Sequence, residues 1–133
     1  MCSADLSFEE LLAKSDFVTI HIPRTKETAN LFNAENIGKM KDGAYLINCA
    51  RGGLVDEDAL YDALASGKLA GAALDVFAVE PPGEHKLLTL GNFICTPHLG
   101  ASTKEAQINV AVAAAEQIVK YLRDGVAVNA LNA

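Results

Sequence analysis

Arg51, Glu80 and His98 are the residues whose types and surroundings best suit chemistry. Arg51 precedes a glycine pair, Gly52-Gly53, so its guanidinium can project from a tight turn. That fork of N–H donors suits two-pronged binding of a carboxylate. His98 follows Pro97 and precedes Leu99, Gly100 and Ala101, which leaves room for a flat ring or a substrate beside an imidazole. Imidazoles exchange protons near neutral pH, which fits a general acid/base. Glu80 lies in a separate loop, from which a carboxylate could hold one imidazole nitrogen and fix the tautomer. The plain alternatives are a surface arginine, a solvated loop acid and a histidine without chemistry.

Other polar residues carry weaker signals. Asp75 ends an apolar strand candidate, so it must find donors or reach solvent, and a capping or loop-bracing role is equally open. Cys49 neighbours Arg51 and could act as a thiolate, although no base is paired with it and a buried inert cysteine fits as well. His21 falls inside a strand candidate and reads as structural or cofactor-adjacent, whereas His85, in an acidic loop, reads as solvent-exposed.

The elements that must position these residues alternate. Short apolar runs at Phe17 to Ile22, Ala44 to Asn48, Ala70 to Phe77 and Phe93 to Thr96 are buried-strand candidates. Helical patterns lie between them. Ser7 and Glu10 form a capping box for a helix to about Lys14. A second helix is expected over Glu35 to Lys41, after Asn33, ending by Gly43; Asp56 caps a third, which Gly67 stops. Ser102 and Glu105 predict a further capping box, opening a long helix to about Arg123 with one apolar stripe, closed by Gly125. Strands alternating with helices imply an α/β fold: a parallel sheet of about four strands, with ligands at the strands' carboxyl ends. Arg51, Asp75, Glu80 and His98 all follow strand candidates, so they gather at that edge.

Composition narrows the class. Of 133 residues, half are hydrophobic and 21% are charged, the balance of an ordinary globular domain rather than a disordered one. A net charge of -6 with scattered basic residues argues against a nucleic-acid partner. Cys2, Cys49 and Cys95 are odd in number and widely spaced, which argues against a disulfide framework or a zinc site and suits a reducing cytoplasm. No apolar run approaches membrane-spanning length, and the start shows no basic region leading into an apolar stretch, so a soluble, cytoplasmic chain is expected.

Several segments, in this order and spacing, resemble the D-isomer-specific 2-hydroxyacid dehydrogenases, and the phosphoglycerate dehydrogenase branch in particular. They are Asn48-Cys49-Ala50-Arg51-Gly52-Gly53, Ala70 to Phe77, Glu80-Pro81-Pro82, and Pro97 through Gln107. The resemblance implies a partial Rossmann-like domain. It implies that Arg51 binds the substrate carboxylate, that His98 is the general acid/base, and that Glu80 supports it. It further implies that Ile22, Pro23, Cys49, Ala50, Arg51, Asp75, His98, Leu99, Gly100 and Ala101 line the nicotinamide side of NAD, with a small 2-hydroxy or 2-keto acid as substrate.

No G-x-G-x-x-G occurs in these residues, nor the acidic residue expected about twenty positions later. The 133 residues are therefore expected to form one truncated NAD-binding domain, natural or engineered, without the glycine-rich first half or the substrate domain. Little turnover is expected from such a piece. An open edge at Phe17 to Ile22, or an uncovered sheet face, predicts either a homodimer or a repacked last helix. A non-catalytic folding or self-association module is the alternative.

Overall fold

The computed structural model describes residues 6–130, which fall into two compact units divided after His98. Cys2 lies outside the described residues.

In the first unit, local signals set the helix starts. Ser7 and Glu10 form the expected reciprocal capping box, and α1 runs Phe8–Lys14. Asn33 caps α2, Ala34–Lys39, by accepting the Asn36 N–H. This helix stops before the expected Lys41, because Met40 turns to extended backbone and sinks its side chain into the core at 2% exposure. Gly43, at φ 77°, shapes the following turn rather than the helix end. Asp56 accepts the N–H groups of Asp58 and Ala59 to open α3, Glu57–Ala65.

The strands are β1 (Phe17–Ile20), β2 (Ala44–Asn48), β3 (Leu69–Leu74) and β4 (Phe93–Cys95), paired in parallel in sequence order. Three of them end earlier than the apolar runs suggested. Ile22, Phe77 and Thr96 lie past the ladders, and His21 is just outside β1, its Nε2 2.9 Å from Thr19 Oγ1. Apolar character marked burial there, not strand: Val76 and Phe77 are buried in the loop that leaves β3. A 3-10 helix at Lys86–Thr89 leads into β4.

Register divides the sheet into two faces. Val18 pairs with Leu46 and Leu46 with Ala72, while Ile20, Asn48 and Leu74 form the next row on the same face. Against these pack Leu12 of α1, Ile37 of α2, and Leu60 and Leu64 of α3. Each fully buried leucine contributes roughly 1.5–3 kcal/mol. The helices of this unit share one face, as right-handed crossovers require. The opposite rows, Phe17, Tyr45 and Gly71, then Thr19, Ile47, Ala73 and Ile94, form the second face. There Phe17 is 67% and Ile94 70% exposed, and Phe17 stacks on Tyr45 at 4.8 Å. Strand β1 is an edge strand, as expected.

The second unit holds α4, Lys104–Asp124. Its cap is Thr103, whose hydroxyl accepts the Ala106 N–H at 3.1 Å, so a single cap one residue on opens the helix in place of the expected Ser102–Glu105 box. Thr103 has the extended backbone a cap needs, while the Ser102 N–H closes a turn on Leu99 O. Gly125 ends the helix in the left-handed region, as expected. The apolar residues of α4 are exposed, Ile108 at 61% and Leu122 at 77% among them. Among the described residues, no helix is long and apolar enough to cross a membrane.

Candidate active site

Because the strands are parallel, their carboxyl ends open onto one edge. Asn48 closes β2 and is fully buried, with its side chain folded into the loop that follows. Its Oδ1 accepts the Ala50 N–H at 3.0 Å and its Nδ2 donates to Arg51 O at 2.9 Å. A buried amide with both ends bonded fixes the turn that carries Arg51. The Arg51 side chain is exposed and donates from Nη1 to Ala50 O at 2.7 Å. Gly52 comes next and lies so close to Phe77 that a Cβ there would stand 1.8 Å from the Phe77 carbonyl oxygen. Only glycine permits this approach.

At the end of β3, Asp75 is 6% exposed, and its N–H donates to Asn48 O at 2.9 Å. Its carboxylate accepts the Thr96 hydroxyl, tying the β3 end to the β4 end. Asp75 thus found donors at the crevice.

Glu80 binds in two directions. One oxygen accepts the Phe77 N–H at 2.9 Å, and the other lies 2.7 Å from His98 Nδ1. The His98 bond, and after it the Phe77 N–H, hold the Glu80 carboxyl below the usual carboxylate range. His98 adopts φ 55°, a left-handed conformation that costs a non-glycine residue of order 1 kcal/mol or more. Asp75, Glu80 and His98 line a common cavity of about 460 Å³, with Phe77, Pro81 and Cys95 as apolar wall.

The structure thus brings Glu80 and His98 together, with Asp75 beside them, as the sequence suggested. Arg51 is not on the cavity wall; it reaches this group through its loop, where Gly52 meets Phe77. Ile22 and Pro23 occupy the loop after β1, which is pinned where the Thr28 hydroxyl donates to Pro23 O at 2.8 Å. Cys49 is an exposed free thiol rather than a buried one. Leu99, Gly100 and Ala101 belong to the second unit, where Ala101 takes φ 62°. His85 corrects the sequence reading: its side chain is only 20% exposed, with Nε2 3.1 Å from Glu57 Oε2. The acidic loop suggested solvent, but Phe77 and α3 shield the ring.

Three residues here escaped sequence reasoning as parts of the site: Asn48, Thr96 and Glu57. An asparagine opening a turn was the available signal for Asn48. Nothing local marked the other two, whose partners lie 21 residues away. Among the described residues, no cluster suits a metal ion.

Known proteins are similar to this chain in sequence and in fold. Residues 2–100 match the family model for the NAD-binding domain of D-isomer-specific 2-hydroxyacid dehydrogenases. The chain is 60% identical over 108 residues to the D-3-phosphoglycerate dehydrogenase of Synechocystis, covering 81% of this chain and 20% of that protein. It is 53% identical over 126 residues to the Bacillus subtilis D-3-phosphoglycerate dehydrogenase, covering 95% of this chain and 24% of that one. A crystal structure of a glyoxylate reductase from Paecilomyes thermophila superposes with a TM-score of 0.89 at 35% identity, covering 96% of this chain and 39% of that one. These 133 residues thus span a quarter or less of both dehydrogenases. With the family model matched over most of its length and a Rossmann-type half-sheet carrying the matched motifs, the chain belongs to the D-isomer-specific 2-hydroxyacid dehydrogenases, within their NAD-binding domain.

Proposed function

We propose that these residues form one wall of an oxidoreductase site that interconverts a D-2-hydroxy acid and its 2-keto acid, with D-3-phosphoglycerate as the substrate. The observation that carries this reading is the 2.7 Å contact between His98 Nδ1 and Glu80 Oε2. Glu80 orients the ring through Nδ1, so proton exchange with the substrate hydroxyl or carbonyl oxygen is assigned to Nε2. A carboxylate at Nδ1 also stabilises the imidazolium formed when the hydroxyl loses its proton. Arg51 is assigned to the substrate carboxylate, which requires its guanidinium to exchange the Ala50 carbonyl for a stronger, charged acceptor.

The residues present fit a nicotinamide cofactor. The cavity of about 460 Å³ has an apolar floor and a buried carboxylate, Asp75, at its edge. Such a space suits a flat ring bearing an amide. Within the first unit, Ile22, Pro23, Cys49, Ala50, Arg51, Asp75 and His98 are assigned to holding NAD. NAD supplies the hydride acceptor or donor; the protein supplies position and charge.

Without a G-x-G-x-x-G segment, the isolated 133-residue polypeptide is expected to turn over little or nothing. The test is a full-length relative in which residues 6–130 replace the matching segment. It should oxidise NADH with 3-phosphohydroxypyruvate, and His98→Ala should slow it by about 10²–10⁴-fold. Full turnover in the His98→Ala chimera would refute the assignment.

A second reading, self-association, is favoured by the apolar face that exposes Phe17 and Ile94. A homodimer through this face or through edge strand β1 would cover it. A sedimentation mass equal to one chain at high concentration would exclude that reading.

A further inference from the structure

The peptide joining Phe77 to Ala78 is held from three sides. Its carbonyl lies against Gly52, in the Arg51 loop. The Phe77 N–H, immediately before it, donates to Glu80. The Ala78 N–H donates to Glu57 Oε1 at 2.7 Å, crossing to the first turn of α3. The other oxygen of Glu57 lies 3.1 Å from His85 Nε2. Since His85 Nδ1 accepts the Leu87 N–H at 3.3 Å, Nε2 must carry the proton and donate to Glu57. The ring also meets Phe77 edge-on, with centroids 5.6 Å apart. Side-chain exposures of 20% for His85 and 17% for Glu57 distinguish this pair from solvated surface ion pairs.

We propose that Glu57, buttressed by His85, is a positioning residue that locks the Phe77–Ala78 peptide and thereby sets the Arg51 loop against the Glu80–His98 pair. The inference rests on the roles proposed above for those three residues. Arg51 and Glu80 lie on different strand-end loops, and their loops meet at this one peptide. A clamp on the peptide therefore fixes both loops. Complementing the positive end of α3 does not account for Glu57's burial. Asp58, in the same turn, serves that purpose from solvent, with its side chain 85% exposed and paired to Lys86.

The substitution Glu57→Gln tests this in the ligand-free chain. Glutamine offers one acceptor and one donor, whereas the Ala78 N–H and the His85 N–H both need acceptors, so either amide orientation breaks one bond. The Ala78 amide should exchange with solvent about tenfold faster where the glutamine nitrogen faces Ala78, and faster by a smaller factor where the His85 bond is the one lost. The Glu80 carboxyl, followed by carbon-detected NMR, should titrate closer to the ordinary glutamate value, because its bond to His98 loosens. Asp58→Asn, which removes the same charge from the same turn, should move neither reading. A folded Glu57→Gln chain indistinguishable from Asp58→Asn in both readings would overturn the proposal. Should Glu57→Gln fail to fold, His85→Gln decides by the same two readings, with smaller shifts in the same direction expected and no shift contradicting it. Neither reading needs turnover. A null result here leaves the His98 chimera assay untouched, and an inactive chimera leaves this test intact.

Discussion

Leu46 and Tyr45 are neighbours on β2, yet one is fully buried and the other 40% exposed. They stand for the two faces of the sheet. On Leu46's face, α1, α2 and α3 close over Val18, Ile20 and Leu74. On Tyr45's face, among the described residues, apolar side chains such as Phe17 and Ile94 stay exposed with no helix of their own unit over them, and Gly71 leaves space for the Tyr45 ring to lie across β3. Both faces are apolar in sequence. Strands apolar on both sides belong to parallel sheets covered on both sides, so hydrophobicity here reports a burial that the first unit's own helices supply only once. The strand-end edge contrasts with both faces. It too is open, but its buried polar atoms are bonded, from Asn48 to Asp75. Open apolar surface suits a partner, whereas an open, internally bonded edge suits a ligand.

Substitution on the covered face should have the largest effect. Leu46→Ala leaves a cavity among leucines and is expected to cost about 2–5 kcal/mol in urea unfolding. Tyr45→Ser combined with Ile94→Ser should cost less, about 0.5–1.5 kcal/mol at Tyr45, which gives up its stack on Phe17, and within roughly 0.5 kcal/mol at Ile94 for the isolated chain, while weakening self-association in sedimentation. Equal losses on the two faces would mean that the uncovered face is buried in solution.

The smallest effect concerns pH and belongs to the strand-end edge. Glu80's carboxyl is held below its ordinary value by His98 and by the Phe77 N–H. Its contribution is therefore complete above the ordinary glutamate range and lost as pH falls through the depressed folded value. The Glu80→Gln variant should flatten the stability profile in that acid window.

Much of this was legible in the sequence because it is local. Ser7, Asn33 and Asp56 cap helices by bonding to backbone two or three residues on, and their side-chain chemistry alone predicts it. The one-sided helices followed from connection rules. Boundaries were less legible: Met40 and Phe77 are apolar and buried but lie outside regular elements, so hydrophobic pattern overran the true ends. In the candidate site, strand-end position and motif placed Glu80 beside His98. The Glu57–His85 contact was invisible, because it joins residues 28 apart through a loop whose acidic composition suggested solvent. The cap of α4 was misjudged by one residue, because Thr103 and not the expected Ser102 takes the extended backbone that a cap needs.

Glu80 and His98 are proposed to act as one unit in proton transfer. A double-mutant cycle on kcat/KM of the chimeric dehydrogenase measures this directly. Glu80→Gln should slow the enzyme when His98 is present and add almost nothing once His98→Ala has been made. Losses that multiply independently in the double variant would contradict it.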